Sequence, residues 1–384
     1  MKIVYCITDC SNSGGMERII CIKANYLVEV MGYDVTIITA DKKTNSLFYK
    51  FSDKIKFINL DVNYFELEVF SFPVRQVKQI KIRQIHKKRL SQVLISEHAD
   101  IVISTYTHEF TILPQIKDGS KKIAEIHFSE NHNRIQNQNR SGIEEYVSLL
   151  THDVFKRRYI KYYDKFVVLT QADKRNWEKI SVSNLVQTYN ILPFYPEKSS
   201  QLENKRILSV GRYVDQKGYD LLIEAWALVA HKHADWHLDI FGSGEEHDNL
   251  VALIKEKKLE NSLTLHSPTH DIEKEYLDSS IYVLSSRYEG FGMVLVEAMA
   301  CGLPCISFDC PQGPSEIIAD RIDGLLAENG NIQDLADKLE LLINDKDLRI
   351  EMGNKARQNI RRFAPDEIMK EWDNLFQSLL NDNR

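Results

Sequence analysis

Residues 285–304 of the chain read SSRYEGFGMVLVEAMACGLP. An apolar run that ends at Ser285 has the length of a buried strand, helical spacing begins near Met293, and Gly302 and Pro304 end that helix. A strand, a glycine-flanked loop and a helix in this order are typical of a parallel sheet covered by helices. The first N–H groups of such a helix lack partners within it, so the sequence predicts an anion site at this loop.

The same alternation extends along all 384 residues, a length that exceeds what one hydrophobic core supports. Prolines and polar residues in 190–204 interrupt the pattern. We expect an α/β protein with two facing Rossmann-like domains, 1–190 and 191–363, and a ligand in the cleft between them. A C-terminal helix within 364–384 is expected to pack back on the N-terminal domain or on the C-terminal one. Strands are predicted at 2–7, 34–39, 101–105, 122–127, 165–169, 206–210, 237–241, 262–266, 281–285 and 304–308, and helices at 17–31, 218–231, 246–257, 293–301, 332–343 and 365–380.

The composition is typical of a soluble globular protein, with 43% hydrophobic and 27% charged residues. No apolar run in the sequence approaches the ~20 residues of a membrane-spanning helix, and the N-terminal run is too short for a signal peptide. The six cysteines lack zinc-site spacing, which favours reduced thiols in a cytoplasmic protein. The net charge is −6, yet residues 1–190 carry 28 basic against 21 acidic side chains, so the two halves are expected to meet different partners.

A basic amphipathic segment occupies 72–94. It contains seven Lys or Arg residues and no acidic residue, interleaved with Val and Ile. Such a segment can lie on an anionic membrane surface, and one expectation is therefore a peripheral position on the inner face of the plasma membrane. A solvated helix face is the open alternative. Nucleic acid is not an expected partner, because no recognisable binding module accompanies the charge.

Two cations follow the predicted strand 206–210. Residues 209–218 read SVGRYVDQKG, so Arg212 and Lys217 lie where a turn directs both side chains at one anion. Together they neutralise a diphosphate leaving group without a metal ion. Solvated loop charges are the alternative for either residue alone.

Two glutamates, Glu289 and Glu297, lie on either side of the predicted anion site. Ionised carboxylates accept hydrogen bonds from sugar hydroxyls, so one is expected to hold a ribose and the other a transferred sugar. This division fits a nucleotide sugar as the ligand. A surface helix with two solvated glutamates is the alternative.

Further candidates lie in the N-terminal half. Gly14 and Gly15 precede a predicted helix and allow a ligand to approach the backbone closely. His127 ends a predicted strand and opens a polar loop, 128–134, suited to sugar hydroxyls. We prefer it to His108, which follows another predicted strand.

No metal or other cofactor is expected. An Asp-x-Asp triplet, Asp345 to Asp347, lies between two C-terminal helical stretches, and we interpret it as a helix cap or a solvated loop. The sequence contains no GxxxxGK[ST] phosphate loop, which argues against an ordinary kinase or NTPase.

Together these motifs resemble glycosyltransferase family 4, retaining enzymes of the GT-B fold. The resemblance rests on E-x7-E from Glu289 to Glu297, on G-R-x4-K-G at 211–218 and on G-G-x-E at 14–17. Residues 309–318 further resemble a subset that builds bacterial surface glycans, which includes N-acetylhexosamine and hexose transferases.

The resemblance implies a role for each motif. Arg212 and Lys217 bind the diphosphate of a UDP-sugar, Glu297 binds its ribose, and Glu289 binds the transferred sugar. Loop N–H groups assist, Gly14 and Gly15 approach the diphosphate, and His127 contacts the sugar near the reacting carbon. The residues that supply the loop N–H groups are Gly290, Phe291, Gly292, Met293 and Val294.

The expected activity is transfer of a hexose or N-acetylhexosamine, with retention, to a glycan or lipid-linked glycan acceptor in surface polysaccharide synthesis. Two alternatives stay open: a UDP-sugar 2-epimerase of similar two-domain fold, and a nucleotide-sugar-binding protein without turnover. The set of Glu289, Arg212 and Lys217 argues against the second alternative, because a binding protein need not stabilise a leaving group.

Overall fold

The computed structural model describes residues 1–11, 14–41, 47–70, 72–128, 158–179 and 182–381. The chain divides into two compact units. Unit 1 comprises Met1–Ile191 and Pro365–Arg384, and unit 2 comprises Leu192–Ala364.

Each unit alternates strands with helices along the described residues. The strands are β1 (Lys2–Ile7), β2 (Asp34–Thr39), β3 (Lys56–Asn59), β4 (Ile101–Ser104), β5 (Lys121–Glu125), β6 (Lys165–Val168), β7 (Leu185–Gln187), β8 (Arg206–Val210), β9 (His237–Phe241), β10 (Leu263–His266), β11 (Ile281–Leu284), β12 (Cys305–Phe308) and β13 (Gly324–Ala327). The helices are α1 (Gly15–Glu29), α2 (Phe72–Glu97), α3 (Gln171–Glu178), α4 (Tyr219–Val229), α5 (His247–Glu256), α6 (Ile272–Leu277), α7 (Met293–Ala300), α8 (Pro314–Ile317), α9 (Ile332–Asn344), α10 (Lys346–Asn359) and α11 (Pro365–Asn381).

Each unit contains its own doubly wound parallel sheet. Over the described residues, the unit 1 sheet has the order β3-β2-β1-β4-β5-β6-β7, and the unit 2 sheet has the order β10-β9-β8-β11-β12-β13. The winding therefore reverses between β1 and β4 in unit 1 and between β8 and β11 in unit 2. Open parallel sheets bind ligands beyond the carboxyl ends of the strands at such a reversal. The loops after β8 and β11 are the ones that meet at this position in unit 2.

The structure confirms the ten predicted strands, with bounds that differ by at most two residues. Three strands lack a counterpart in the prediction, namely β3, β7 and β13, and each lies at an edge of its sheet. Edge strands have one neighbour, so their sequences need less apolar character than central strands. The four residues of β3 are largely exposed, which explains why no apolar run marks it.

Helix α11 belongs to unit 1, although it ends the chain. Its apolar side is buried, including Ile368, Trp372 and Phe376. Two phenols of the N-terminal region add hydrogen bonds: Tyr26 Oη donates to Asp366 at 2.6 Å, and Tyr33 Oη donates to Asp373. The helix thus supplies part of the unit 1 core.

Replacement of Phe376 with Ala tests how much this helix contributes. Phe376 is fully buried, so we expect F376A to lower the free energy of unfolding by about 3–5 kcal/mol in urea titrations. The control is K370A, because Lys370 is exposed on the same helix and should change stability by no more than about 0.5 kcal/mol. Equal stability of the two variants would contradict a core role for α11.

Candidate active site

The loops after β8 and β11 bind each other directly in unit 2. Residues 211–218 follow β8, and residues 285–292 follow β11. The N–H of Arg287 donates to the carbonyl of Gln216 at 2.8 Å, and the Gln216 amide donates to the carbonyl of Tyr288 at 3.0 Å. Hydrogen bonds to backbone carbonyls therefore hold the two loops together.

Side chains strengthen the connection between the loops. Ser285 Oγ donates to the carbonyl of Lys217 at 2.9 Å. The Arg287 guanidinium binds both carboxylate oxygens of Asp220, at 2.9 and 2.6 Å. Such a bidentate pair fixes orientation as well as distance. Asp220 lies in the first turn of α4, so Arg287 connects that helix to the second loop.

Lys217 and Glu289 form an ion pair within these loops. Lys217 Nζ lies 2.7 Å from Glu289 Oε1, and Ser286 Oγ donates to the same oxygen at 2.6 Å. The side chains of Lys217 and Glu289 are only 14% and 8% exposed. The sequence predicted separate ligands for the two residues and did not predict their contact. An ammonium group has three donors, so Lys217 retains donors for an anion while it holds Glu289.

Arg212 presents a second cation on the first loop. Its side chain is exposed and forms no hydrogen bond or ion pair within the described part of the chain. Burial, then the charge of Asp215, raises the pKa of Tyr288, and the nearby Arg212 partly opposes this increase. The Arg212 side chain is therefore available to an anionic ligand.

Helix α7 begins directly after the second loop. Gly292 precedes it with a φ of 99°, and Met293 and Val294 in its first turn are only partly buried. The third loop, which follows β12, packs against this region: the N–H of Glu289 approaches the carbonyl of Pro311 at 3.4 Å. The predicted N–H groups of 290–294 thus lie at the carboxyl edge of the sheet.

Glu297 lies in α7 and is buried. Tyr276 Oη donates to its Oε2 at 3.0 Å. Burial, together with the negative charge of Glu297, raises the pKa of Tyr276 well above its usual value, so the phenol remains a donor. This contact fixes the carboxylate that is predicted to bind a ribose.

The candidates of unit 1 follow neighbouring strands of its sheet. Gly14 and Gly15 begin α1 after β1, and His127 follows β5. His108, which follows β4, stacks on Tyr64 with ring centroids 3.8 Å apart. His108 thus packs against an aromatic ring of the same unit. Residues 129–134 of the predicted sugar-binding loop lie outside the described residues.

His127 is held in a buried, charged environment. Its side chain is 6% exposed, and its Nε2 lies 3.4 Å from Glu125 Oε1. Burial lowers the pKa of His127, Glu125 opposes this shift, and Lys23 adds to it. The imidazole is therefore neutral near pH 7.

The Asp345 carboxylate accepts a hydrogen bond from the N–H of Leu348 at 2.9 Å. This contact caps α10 and confirms the predicted cap.

In the part of the chain that the structure describes, no group of three His, Cys, Asp or Glu residues could hold a metal ion. The same part contains no helix long and apolar enough to cross a membrane.

A family model described as glycosyl transferases group 1 matches residues 194–359. An uncharacterized glycosyltransferase of Haemophilus influenzae is 32% identical over 375 residues, which cover 97% of this chain and 98% of that protein. The chain belongs to the group 1 glycosyl transferases. The expectation of a glycosyltransferase is thereby confirmed.

Two further relatives extend the comparison of this group 1 glycosyltransferase. The poly(ribitol-phosphate) alpha-N-acetylglucosaminyltransferase of Staphylococcus aureus is 35% identical over 214 residues, 55% of this chain and 43% of that enzyme. A crystal structure of an S. aureus TarM mutant in complex with fondaparinux, alpha-GlcNAc-glycerol and UDP matches with a TM-score of 0.78 at 20% identity. That match covers 98% of this chain and 99% of the other. The expected GT-B fold is confirmed.

The sequence did not indicate several residues that shape the candidate site. Gln216 and Arg287 join the two loops, and Ser286 contacts Glu289. All three lie within the quoted motifs, so their place in these glycine-containing loops was the available signal. Lys23 and Glu125 had no such signal, because each lies inside a predicted helix or strand.

Gly218 connects the first loop to α4, and its replacement with Ala tests the packing of the two loops. Its φ is 58°, and a Cβ there would lie 2.2 Å from the carbonyl oxygen of Ser285. Gly330 in the same unit has a φ of 75° and open space around its Cβ position. We expect G330A to cost roughly 1–2 kcal/mol of unfolding free energy, and G218A to cost clearly more because of the clash. Urea titrations that rank the variants in the opposite order would contradict this packing.

Proposed function

We propose that the chain is a retaining family 4 glycosyltransferase that transfers a hexose or N-acetylhexosamine from a UDP-sugar to a glycan or lipid-linked glycan acceptor. The supporting observation is the Lys217–Glu289 ion pair beside the exposed Arg212 at the reversal of the unit 2 sheet. Cations at that edge suit a diphosphate, and carboxylates beside them suit sugar hydroxyls. UDP in the similar S. aureus structure supports the choice of nucleotide.

In this proposal, each part of the UDP-sugar donor contacts its own set of residues. Arg212 and Lys217 bind the diphosphate, with N–H groups at the start of α7. Glu297, fixed by Tyr276, accepts hydrogen bonds from the ribose. Glu289, fixed by Lys217 and Ser286, accepts them from the transferred sugar. Gly14, Gly15 and His127 keep the roles that the family resemblance implies.

The proposed reaction breaks the bond between the sugar C1 and the diphosphate oxygen. Negative charge then develops on UDP, and Lys217, Arg212 and the N–H groups of α7 stabilise it. The acceptor hydroxyl attacks C1 from the same face, forms the new C–O bond, and passes its proton to the departing diphosphate oxygen. No covalent glycosyl-enzyme is proposed, and neither a metal nor another cofactor is required.

The acceptor is proposed from the relatives alone. The S. aureus enzyme acts, by its name, on poly(ribitol-phosphate) and forms an alpha linkage of N-acetylglucosamine. By analogy we propose an acceptor of the surface polysaccharide class for this chain. Fold does not identify an acceptor, so this part depends on analogy.

Two alternatives give different products. A UDP-sugar 2-epimerase would convert UDP-N-acetylglucosamine in the absence of any acceptor, whereas the proposed transferase would not. A binding protein without turnover would bind UDP but release none from UDP-sugars. Incubation with donor alone, and then with donor and membrane extract, separates the three.

Lys217 is the residue with which to test the transferase. We expect K217Q to retain a hydrogen bond to Glu289 but to lose the charge that stabilises departing UDP, with roughly a 100- to 1,000-fold lower rate. The assay measures UDP release from UDP-glucose, UDP-galactose, UDP-N-acetylglucosamine and UDP-N-acetylgalactosamine with membrane extract. The control is K232Q, because Lys232 also binds a glutamate, Glu340, but at an exposed position. Full activity of a folded K217Q protein would refute the proposed scheme.

We further propose that α2 binds the inner face of the plasma membrane. Helix α2 is exposed along a side where apolar residues alternate with basic ones: Val77 is 71% exposed, and Arg75, Lys78 and Lys81 are also exposed. Apolar side chains enter the headgroup region while Lys and Arg bind anionic lipid. The proposal gives the enzyme access to lipid-linked acceptors.

Vesicle sedimentation tests this membrane proposal. Two exposed lysines contribute about 1 kcal/mol each, so K78Q/K81Q should bind phosphatidylglycerol-containing vesicles roughly 30-fold more weakly than the wild type. K255Q/K258Q in unit 2 removes the same charge from exposed positions and should bind normally. Binding should also weaken at high salt. Equal loss in both variants, or equal binding to pure phosphatidylcholine, would contradict a specific role of α2.

A further inference from the structure

A buried ion pair lies next to His127 in unit 1. Lys23 Nζ lies 2.7 Å from each carboxylate oxygen of Glu125, and both side chains are only 1% exposed. Lys23 belongs to α1, and Glu125 ends β5. The pair therefore joins the helix that begins with the Gly15 loop to the strand that leads into His127.

Aromatic rings enclose Lys23. Its Nζ lies 3.4 Å from the ring centroid of Trp372 in α11 and 5.8 Å from that of Tyr5 in β1. Burial lowers the pKa of Lys23 to about 8, although Glu125 opposes this shift. The free energy needed to remove both charges from water offsets much of their electrostatic attraction. Such a pair is therefore weak evidence for a purely stabilising role. The tight enclosure of Lys23 indicates that this lysine fixes the position of Glu125.

Glu125 in turn faces His127. The chain stays extended between them, since the N–H of Ile126 donates to the carbonyl of Val167 at 3.0 Å. Residues two apart in an extended chain lie on the same face. His127 Nε2 lies 3.4 Å from Glu125 Oε1 and is buried without a hydrogen-bond partner among the described residues. The Glu125 carboxylate is therefore placed to accept a hydrogen bond from a protonated Nε2.

We propose that Glu125, fixed by Lys23, is a positioning residue that orients His127 and selects its Nε2–H tautomer. An ionised carboxylate only accepts hydrogen bonds, so a neutral imidazole beside it carries its proton on Nε2. The second nitrogen, Nδ1, is then an acceptor. His127 therefore recognises a ligand that donates a hydrogen bond, namely a sugar hydroxyl, and adds no positive charge. The inference rests on the proposed function only for the identity of that ligand.

Two double variants separate positioning from stability. In K23M/E125M both charges are removed and Nε2 loses its acceptor, whereas in K23M/E125Q the glutamine carbonyl still accepts from Nε2. Neither variant leaves a buried charge unpaired, so both should unfold at temperatures close to that of the wild type. We expect about 100-fold slower transfer, with little change in KM, for K23M/E125M. K23M/E125Q should stay within a few-fold of the wild-type rate.

Nitrogen-15 NMR of the imidazole provides a readout independent of turnover. The His127 signals are assigned by their loss in H127Q. The wild type and K23M/E125Q should show the Nε2–H tautomer, and K23M/E125M a mixture of tautomers. An Nδ1–H tautomer in the wild type, or identical rates and spectra for the two double variants, would overturn the inference.

H127Q also separates this inference from the proposed function. If H127Q transfers sugar at the wild-type rate while the wild-type spectrum shows Nε2–H, the proposed contact between His127 and the donor is wrong. The tautomer assignment through Glu125 is then still supported.

Discussion

Hydrogen bonds between two loops at the carboxyl edge of the unit 2 sheet hold its candidate site in place. The Arg287 N–H binds the Gln216 carbonyl, and the Ser285 hydroxyl binds the Lys217 carbonyl. These contacts bring Lys217 to Glu289, so protein groups alone orient the cation and the carboxylate. Donors fixed in advance need no reorganisation when charge develops, which is the condition under which electrostatic stabilisation is most effective.

The two units use lysine in opposite ways. In unit 2 Lys217 keeps donors available beside the exposed Arg212. In unit 1 Lys23 is enclosed by Glu125 and Trp372 and is inaccessible to any ligand. A compact ammonium suits both tasks, since it contacts a diphosphate as a point charge and fits over an aromatic ring when desolvated. The first lysine acts on a ligand, and the second acts on the protein itself.

The sequence predicted the central strands and the glycine loops well, for a physical reason. Strands buried on both faces are continuous apolar runs, and loops that start helices beside a parallel sheet need glycines. The edge strands β3, β7 and β13 were not predicted, and the residues of β3 are largely exposed, so no apolar run marks that strand. The sequence also could not predict the two ion pairs, because Lys217 and Glu289 are 72 residues apart and Lys23 and Glu125 are 102 residues apart. Only the topology of the sheets brings such residues together.

The position of α11 has a consequence for biosynthesis. Unit 1 is built from two stretches of the chain that flank unit 2, so its core lacks Trp372 and Phe376 until synthesis has passed through unit 2. Unit 2 is continuous in sequence and is complete earlier. The segment Met1–Ile191 is thus synthesised before unit 2 but completes its core after unit 2.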